Sequence, residues 1–198
     1  MNVESLFPQP GVEGLQLLTD FVSEQQERSI LATLERFECD DSLKRVTWHF
    51  GRRYDYSDSL VVRKADVPAI PDEFKELGRK LVEVGSFTED PSQVIVNQYL
   101  ASASRKDGIA AHRDRADCFG PVVATISLLE SWVMRFTRGS HESVDVVLPR
   151  FSCAILSGPA RYDWQHGIQP RQYDRVGGVR VRRSRRVSVT FRTIAEGF

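Results

Sequence analysis

Arg186-Val187-Ser188-Val189-Thr190-Phe191-Arg192 alternates polar and apolar side chains without a break. In an extended strand successive side chains point to opposite faces. Arg186, Ser188, Thr190 and Arg192 therefore share one face, and Val187, Val189 and Phe191 share the other. On an edge strand the two arginines could simply be solvated. In a central strand each would need an anionic partner, because an unpaired buried charge is costly. Two arginines on one strand face can grip a dicarboxylate at both ends.

Upstream of this segment, short runs rich in Val, Ile, Phe and Thr occupy 94–100, 122–129, 132–136, 144–148 and 153–156, and the last such run covers 187–194. Turn signals such as Gly139-Ser140, Ser157-Gly158-Pro159 and Gly177-Gly178 separate them. Before Pro91 the pattern is helical. Ser23-Glu24-Gln25-Gln26 reads as a capping box followed by Ile30, Leu31, Leu34 and Phe37. Pro71 then opens a second helix with Phe74, Leu77, Leu81 and Val84 on one face. Helices first and many short strands afterwards predict an α+β, mainly β fold, a jelly roll of antiparallel strands supported by N-terminal helices.

The chain has 198 residues, 41% of them hydrophobic and 27% charged, which excludes disorder and predicts one soluble domain over 1–198. No run approaches the roughly 20 apolar residues of a membrane helix. Residues 1–14 lack the basic and apolar blocks of a secretory leader. Three cysteines, Cys39, Cys118 and Cys153, form no CxxC and cannot all pair, which suits a reducing, cytoplasmic setting. The zero net charge hides an asymmetry: residues 1–100 carry 11 Lys+Arg against 18 Asp+Glu, and residues 161–198 carry nine Arg against three acids. Eight of those arginines fall within 171–192. Guanidinium forks match phosphate, so the cluster is a candidate anion-binding surface, with a solvated strand and loop as the alternative.

Only four histidines are present: His49, His112, His141 and His166. His112-Arg113-Asp114 follows the short apolar run 108–111, and in extended chain His112 and Asp114 point the same way. His166 lies several predicted strands later and could supply a third ligand from a neighbouring strand. Two His and one carboxylate on one face of an octahedral ion leave three positions open, the arrangement of non-haem Fe(II) oxygenases. Those positions suit a bidentate keto acid and dioxygen. His49 and His141 have no partners at ligand spacing and read as structural or surface residues. Trp132 reads as core, Trp164 as packing beside His166, and Cys118 as an inert thiol.

With these residues assembled, the sequence resembles the AlkB family of Fe(II)- and 2-oxoglutarate-dependent dioxygenases across 45–194. Asn97-Gln98-Tyr99 resembles the family's N-x-Y strand, and His112-x-Asp114 with His166 resembles its iron triad. The run from Arg161 through Trp164 and His166 to Ile168 is similar to its R-x-x-W-x-H-x-I segment. Arg186 to Arg192 is similar to its R-x-S/N-x-T-F-R strand. The resemblance implies a double-stranded β-helix, with 1–90 forming helical support and a nucleotide-recognition lid and 91–198 the jelly-roll core. It implies Fe(II) as cofactor with 2-oxoglutarate and O2 as co-substrates, and Asn97, Tyr99, Arg186, Ser188 and Arg192 around 2-oxoglutarate. Arg192 would bind one carboxylate and Arg186 would support the site. The segment from Arg45 to Tyr56 resembles the lid, which implies Trp48, Arg53, Tyr54 and Tyr56 at the substrate base. Ser188 stands where many members carry Asn, Arg115-Ala116 where many carry an acid, and 101–107 lengthens the turn before His112.

The function so implied is oxidative demethylation of N-alkylated bases in nucleic acid, as in repair of alkylation damage to DNA. The alternatives are a hydroxylase or demethylase of modified bases in transfer RNA, and a jelly-roll oxygenase or binding module for protein or small molecules. The protein would act as a cytoplasmic monomer on DNA or RNA, away from membranes. Segment 171–186 would hold phosphates while a base is flipped into the pocket.

Overall fold

The computed structural model describes residues 11–43, 45–55, 60–62 and 67–195, with the backbone alone for 53–55 and 60–62. Along the chain the described elements are β1 (Leu15–Leu18), α1 (Glu24–Leu34), β2 (Val46–Phe50), β3 (Arg53–Asp55), β4 (Leu60–Val62) and α2 (Asp72–Glu83). Next come β5 (Gln93–Leu100), β6 (Ile109–His112), β7 (Phe119–Leu128), β8 (Trp132–Arg138), β9 (Glu142–Leu148) and β10 (Cys153–Leu156). The chain finishes with α3 (Gly158–Tyr162), β11 (Gln165–Ile168), β12 (Tyr173–Val176), β13 (Val179–Arg182) and β14 (Arg185–Ile194).

The alternating segment is the centre of the larger sheet, whose six strands run β1-β10-β7-β14-β5-β2. β14 pairs antiparallel with β5 on one side and β7 on the other, so both of its edges are hydrogen-bonded. Val187, Val189 and Phe191 join Val94, Val96, Ala124 and Ile126 in a core closed by α1 and α2. The other face looks across to the smaller sheet, β6-β11-β8-β9, over a second core containing Trp132, Phe136, Leu148 and Trp164. The result is the jelly-roll sandwich that the strand count predicted, and Trp132 is core as expected.

Local chemistry explains the helices. The Ser23 side chain accepts from the Gln26 N–H while Gln26 returns a bond to the Ser23 N–H, a complete capping box. Pro71 caps α2, where Phe74, Leu77 and Leu81 are buried. Val84, expected on that face, lies past the helix end and is exposed. The turn signal Ser157-Gly158-Pro159 leads into one short helix over 158–162, begun by Gly158-Pro159. The N-terminal portion is more than helical support: β1 and β2 are the two edges of the larger sheet. Among the described residues no helix is long and apolar enough to cross a membrane.

Candidate active site

β6 and β11 lie side by side in the smaller sheet, and their register sets His112 directly opposite His166. The strands approach closely because residue 167 is glycine: a Cβ there would come within 2.9 Å of the Ala111 nitrogen. The imidazole centroids are 4.6 Å apart. Asp114 follows β6, and one ligand atom each from His112, Asp114 and His166 lies within 4.8 Å of the others.

The donor set fits a divalent ion atom by atom. His112 Nδ1 sits 2.9 Å from the Ala110 carbonyl, a bond that places the proton on Nδ1 and leaves Nε2 as a lone-pair donor. His166 Nε2 is 3.6 Å from Asp114 Oδ2, and that oxygen is buried without a hydrogen-bond partner. Asp114 Oδ1 is taken by the Arg192 guanidinium. One carboxylate oxygen is therefore engaged while the other faces both imidazoles. Burial alone would raise the Asp114 pKa, but Arg192, the two imidazoles and Arg161 outweigh it and bring it to about 2. Burial, reinforced by His112, Arg192 and Arg161, lowers His166 to about 4 against the pull of Asp114, so its ring is neutral at pH 7 as a metal ligand must be.

His112, Asp114 and Arg192 border a cavity of about 420 Å³, within the roughly 300–1,000 Å³ range of small-molecule sites. Arg45, Arg113, Arg115 and Arg192 line it with His112, while Asp114 is the one carboxylate among the described lining residues. Such a rim favours anionic ligands. Beneath it lies a buried brace that sequence reading gave no role, Arg161. Its guanidinium donates to the carbonyls of Asp114, Arg115, Phe119 and Gly120, holding the loop behind the metal ligands. A lone arginine three positions before Trp164 carries no local signal of that reach.

A family model described as the 2OG-Fe(II) oxygenase superfamily matches residues 14–192. The chain belongs to that superfamily. Among similar proteins, the Xenopus tropicalis tRNA (carboxymethyluridine(34)-5-O)-methyltransferase alkbh8 is 36% identical over 166 residues, covering 81% of this chain. This chain spans 26% of that relative's length. The Arabidopsis thaliana alkylated DNA repair protein ALKBH8 homolog is 28% identical over 207 residues, 92% of this chain and 59% of its own. The solved structure of OsALKBH1 shares the fold, with a TM-score of 0.68 at 16% identity, covering 94% of this chain and 100% of that one. This AlkB-family oxygenase is an iron- and 2-oxoglutarate-dependent dioxygenase, with O2 as its other co-substrate.

In this oxygenase the residues expected around 2-oxoglutarate do come together on the sandwich face of the larger sheet. Ser188 pairs with Asn97 and Arg186 with Tyr99 in the β14–β5 register, and all four are buried. The Arg45 Nε donates to Asn97 Oδ1 at 2.7 Å. A guanidinium has no acceptor, so Asn97 must turn its oxygen to Arg45 and keep its NH2 for another partner. Arg192 is committed, to Asp114 and to Gln93 Oε1 at 3.1 Å. Arg186 is 1% exposed, bonds Ser127 Oγ at 2.8 Å, and among the described residues has no acidic partner within ion-pairing distance. Its Nε is buried without a partner.

The substrate residues fare differently. Trp48 was expected at the base, yet it sits opposite Val96 on the helix-covered face of the sheet, its Nε1 donating to the Phe37 carbonyl at 3.3 Å. Strand alternation puts Thr47 and His49, not Trp48, on the cavity side with Asn97 and Ile95. Arg53 and Tyr54 lie on β3, paired with β4; their side chains, and Tyr56 entirely, lie outside the described residues. The ring beside His166 is Phe136, at 6.0 Å; Trp164 instead stacks under Arg138. Cys118 is buried, with its pKa raised chiefly by burial, in keeping with an inert thiol. The arginine cluster is not one surface either. Arg183 and Arg186 are internal, Arg183 bridging Asp174 over the Trp132 ring.

Proposed function

We propose that this protein oxidises a carbon substituent on a nucleic-acid base, and that the base belongs to transfer RNA. The observation that carries the reading is the His112–Asp114–His166 cluster, with His112 and Asp114 on the wall of a cavity that Arg45, Arg113, Arg115 and Arg192 also line. The printed name of the Xenopus relative, a transfer-RNA enzyme, supports RNA ahead of DNA. That reverses the preference drawn from sequence alone.

His112 and His166 through Nε2, and Asp114 through Oδ2, would hold the iron. When bound, iron with 2-oxoglutarate and dioxygen supplies the oxidation that converts a substrate C–H into C–OH. The chain's own residues arrange that chemistry. Arg186, a buried cation with no acid in ion-pairing reach among the described residues, receives the remote carboxylate of 2-oxoglutarate, with Tyr99 and Ser188 alongside. The Asn97 amide, fixed by Arg45, donates to the co-substrate. Arg192 keeps Asp114 ionised and turned so that one oxygen faces the imidazoles. The cavity admits a single flipped base, which an intact helix cannot deliver.

A second reading, oxidative demethylation of N-alkylated DNA bases, is favoured by the name of the Arabidopsis relative. The two differ in product: a hydroxylated carbon on a base nitrogen collapses to release an aldehyde, whereas one on a base carbon stays attached. Succinate release with iron and 2-oxoglutarate, in the presence of transfer RNA, methylated single-stranded DNA or duplex DNA, separates them. Transfer RNA should stimulate most, and His112→Ala or Asp114→Ala should abolish release. Aldehyde from methylated DNA with no response to transfer RNA would favour the second reading. Iron-dependent turnover indifferent to every nucleic acid would defeat both.

A further inference from the structure

β12 and β13 form a two-stranded hairpin that pairs with neither sheet of the sandwich, and four residues separate it from the strand bearing His166. An isolated hairpin is marginal in water, and this one is anchored by a single buried residue. Asp174 accepts from the Val133 N–H of β8 at 3.0 Å, from Arg183 at 2.7 and 2.8 Å, and from Arg171 at 2.8 Å. Asp174 fixes which face looks inward.

Alternation then decides the outward face. Tyr173 pairs with Arg182 and Arg175 with Arg180, so these four side chains stand together on the face opposite Asp174. Arg175, Arg180 and Arg182 are exposed, and no acid lies within ion-pairing distance of any of them among the described residues. The remaining arginines of segment 171–186 are spent: Arg171 and Arg183 on Asp174, Arg185 on Gln98, and Arg186 inside the sandwich. Like charges directly opposite on paired strands destabilise the pair. A cross-strand Arg175–Arg180 pair with no acid nearby is thus a site whose repulsion an anion relieves. Arg180 already covers the Tyr173 ring, at 3.7 Å from its centroid, which removes the ring as a platform for a base. The face offers charge without a base reader.

We propose that this face of the hairpin binds the phosphate backbone of the nucleic-acid substrate, without regard to sequence. The proposal rests on the nucleic-acid reading above and names where that substrate is held. The partner is a polyanion with regularly spaced phosphates, for which Arg175, Arg180 and Arg182 supply point contacts.

The test is the salt dependence of binding, measured with transfer RNA and with a 20-nucleotide single-stranded RNA. Each phosphate contact contributes about 0.7 to the slope of log K against log salt on a single strand. The double variant Arg175→Gln/Arg180→Gln should therefore flatten the slope by about 1.4, and Arg175→Lys/Arg180→Lys should restore most of it. The thermal midpoint of the Gln variant should not fall, since a repulsion has been removed. If the parent binds RNA and the Gln variant binds with an unchanged slope, the hairpin proposal is wrong while the function stands. A parent that binds no nucleic acid removes both. Unchanged RNA binding together with lost binding of a polyglutamate probe would replace the nucleic acid by an acidic protein.

Discussion

Arg186 holds a charge in a place where charge is expensive. Burial lowers its pKa to about 10, so it stays protonated at pH 7, and the nearest polar partner is a serine. A buried cation of this kind weakens the ligand-free protein and rewards a carboxylate that reaches it. Arg186→Met should therefore leave the ligand-free thermal midpoint unchanged or higher, while weakening 2-oxoglutarate. Truncating one side of a buried charge pair costs about 2–5 kcal/mol, or roughly 30-fold or more in affinity, which calorimetry would read. Unchanged affinity with a lowered midpoint would mean the arginine is structural. Sequence reading found both arginines by alternation and put a carboxylate on Arg192 with Arg186 in support; the proposal that Arg186 takes the remote carboxylate departs from that. The deciding fact is that Asp114, 78 positions before Arg192, already occupies Arg192; spacing does not encode that. Trp48 was misplaced for a similar reason: an aromatic on a strand reveals its parity but not which face the helices cover.

At the scale of elements, the readable ones were those whose signal is local. The Ser23–Gln26 box starts α1 where its chemistry says, and β10 matches the run 153–156. β14 was legible because both of its faces are buried and only alternation can satisfy two different environments. β1, β6 and β11 are four residues each, as β10 is, but unlike its wholly apolar run they include a polar residue that interrupts the signal, although β6 and β11 carry the histidines. The metal loop depends on a brace from α3. Arg161 meets four backbone carbonyls there, and a methionine of similar length would remove all of those guanidinium bonds. Groups that orient metal ligands typically account for 10- to 100-fold in affinity. Arg161→Met should weaken Mn2+ binding by about that factor, measured by titration, and Mn2+ affinity equal to the parent's would show the loop is held by other means.

For the molecule as a whole, the site sets the response to acid. His166 titrates near 4 in the folded chain against 6.5 as its ordinary value. Between those values the unfolded chain binds more protons, so stability rises with pH across about 4 to 6.5 and is lost as pH falls through that window. Asp114, at about 2 against 3.8, acts with the same sign at lower pH. The His166 contribution is at most about 3 kcal/mol. Denaturant midpoints with a chelator present should drop between pH 7 and pH 4.5, and His166→Gln should flatten that drop; an equal drop in the variant would place the sensitivity elsewhere. The global architecture was legible as helices followed by many strands, because one sheet with two different neighbours needs exactly that composition. Edge placement of β1 and β2 was not, since a strand's position in a sheet is a long-range property.

β14 serves two masters at once: its odd-numbered side chains close a hydrocarbon layer and its even-numbered ones face a polar chamber. Removing or adding one residue within 186–192 would interchange the two sets, driving guanidinium groups toward α1 and α2 and valines toward the imidazoles. No compensating shift exists, because the strand is hydrogen-bonded along both edges. Length variation among descendants of this chain should accordingly collect at the Gly177-Gly178 bend and spare the strand that follows.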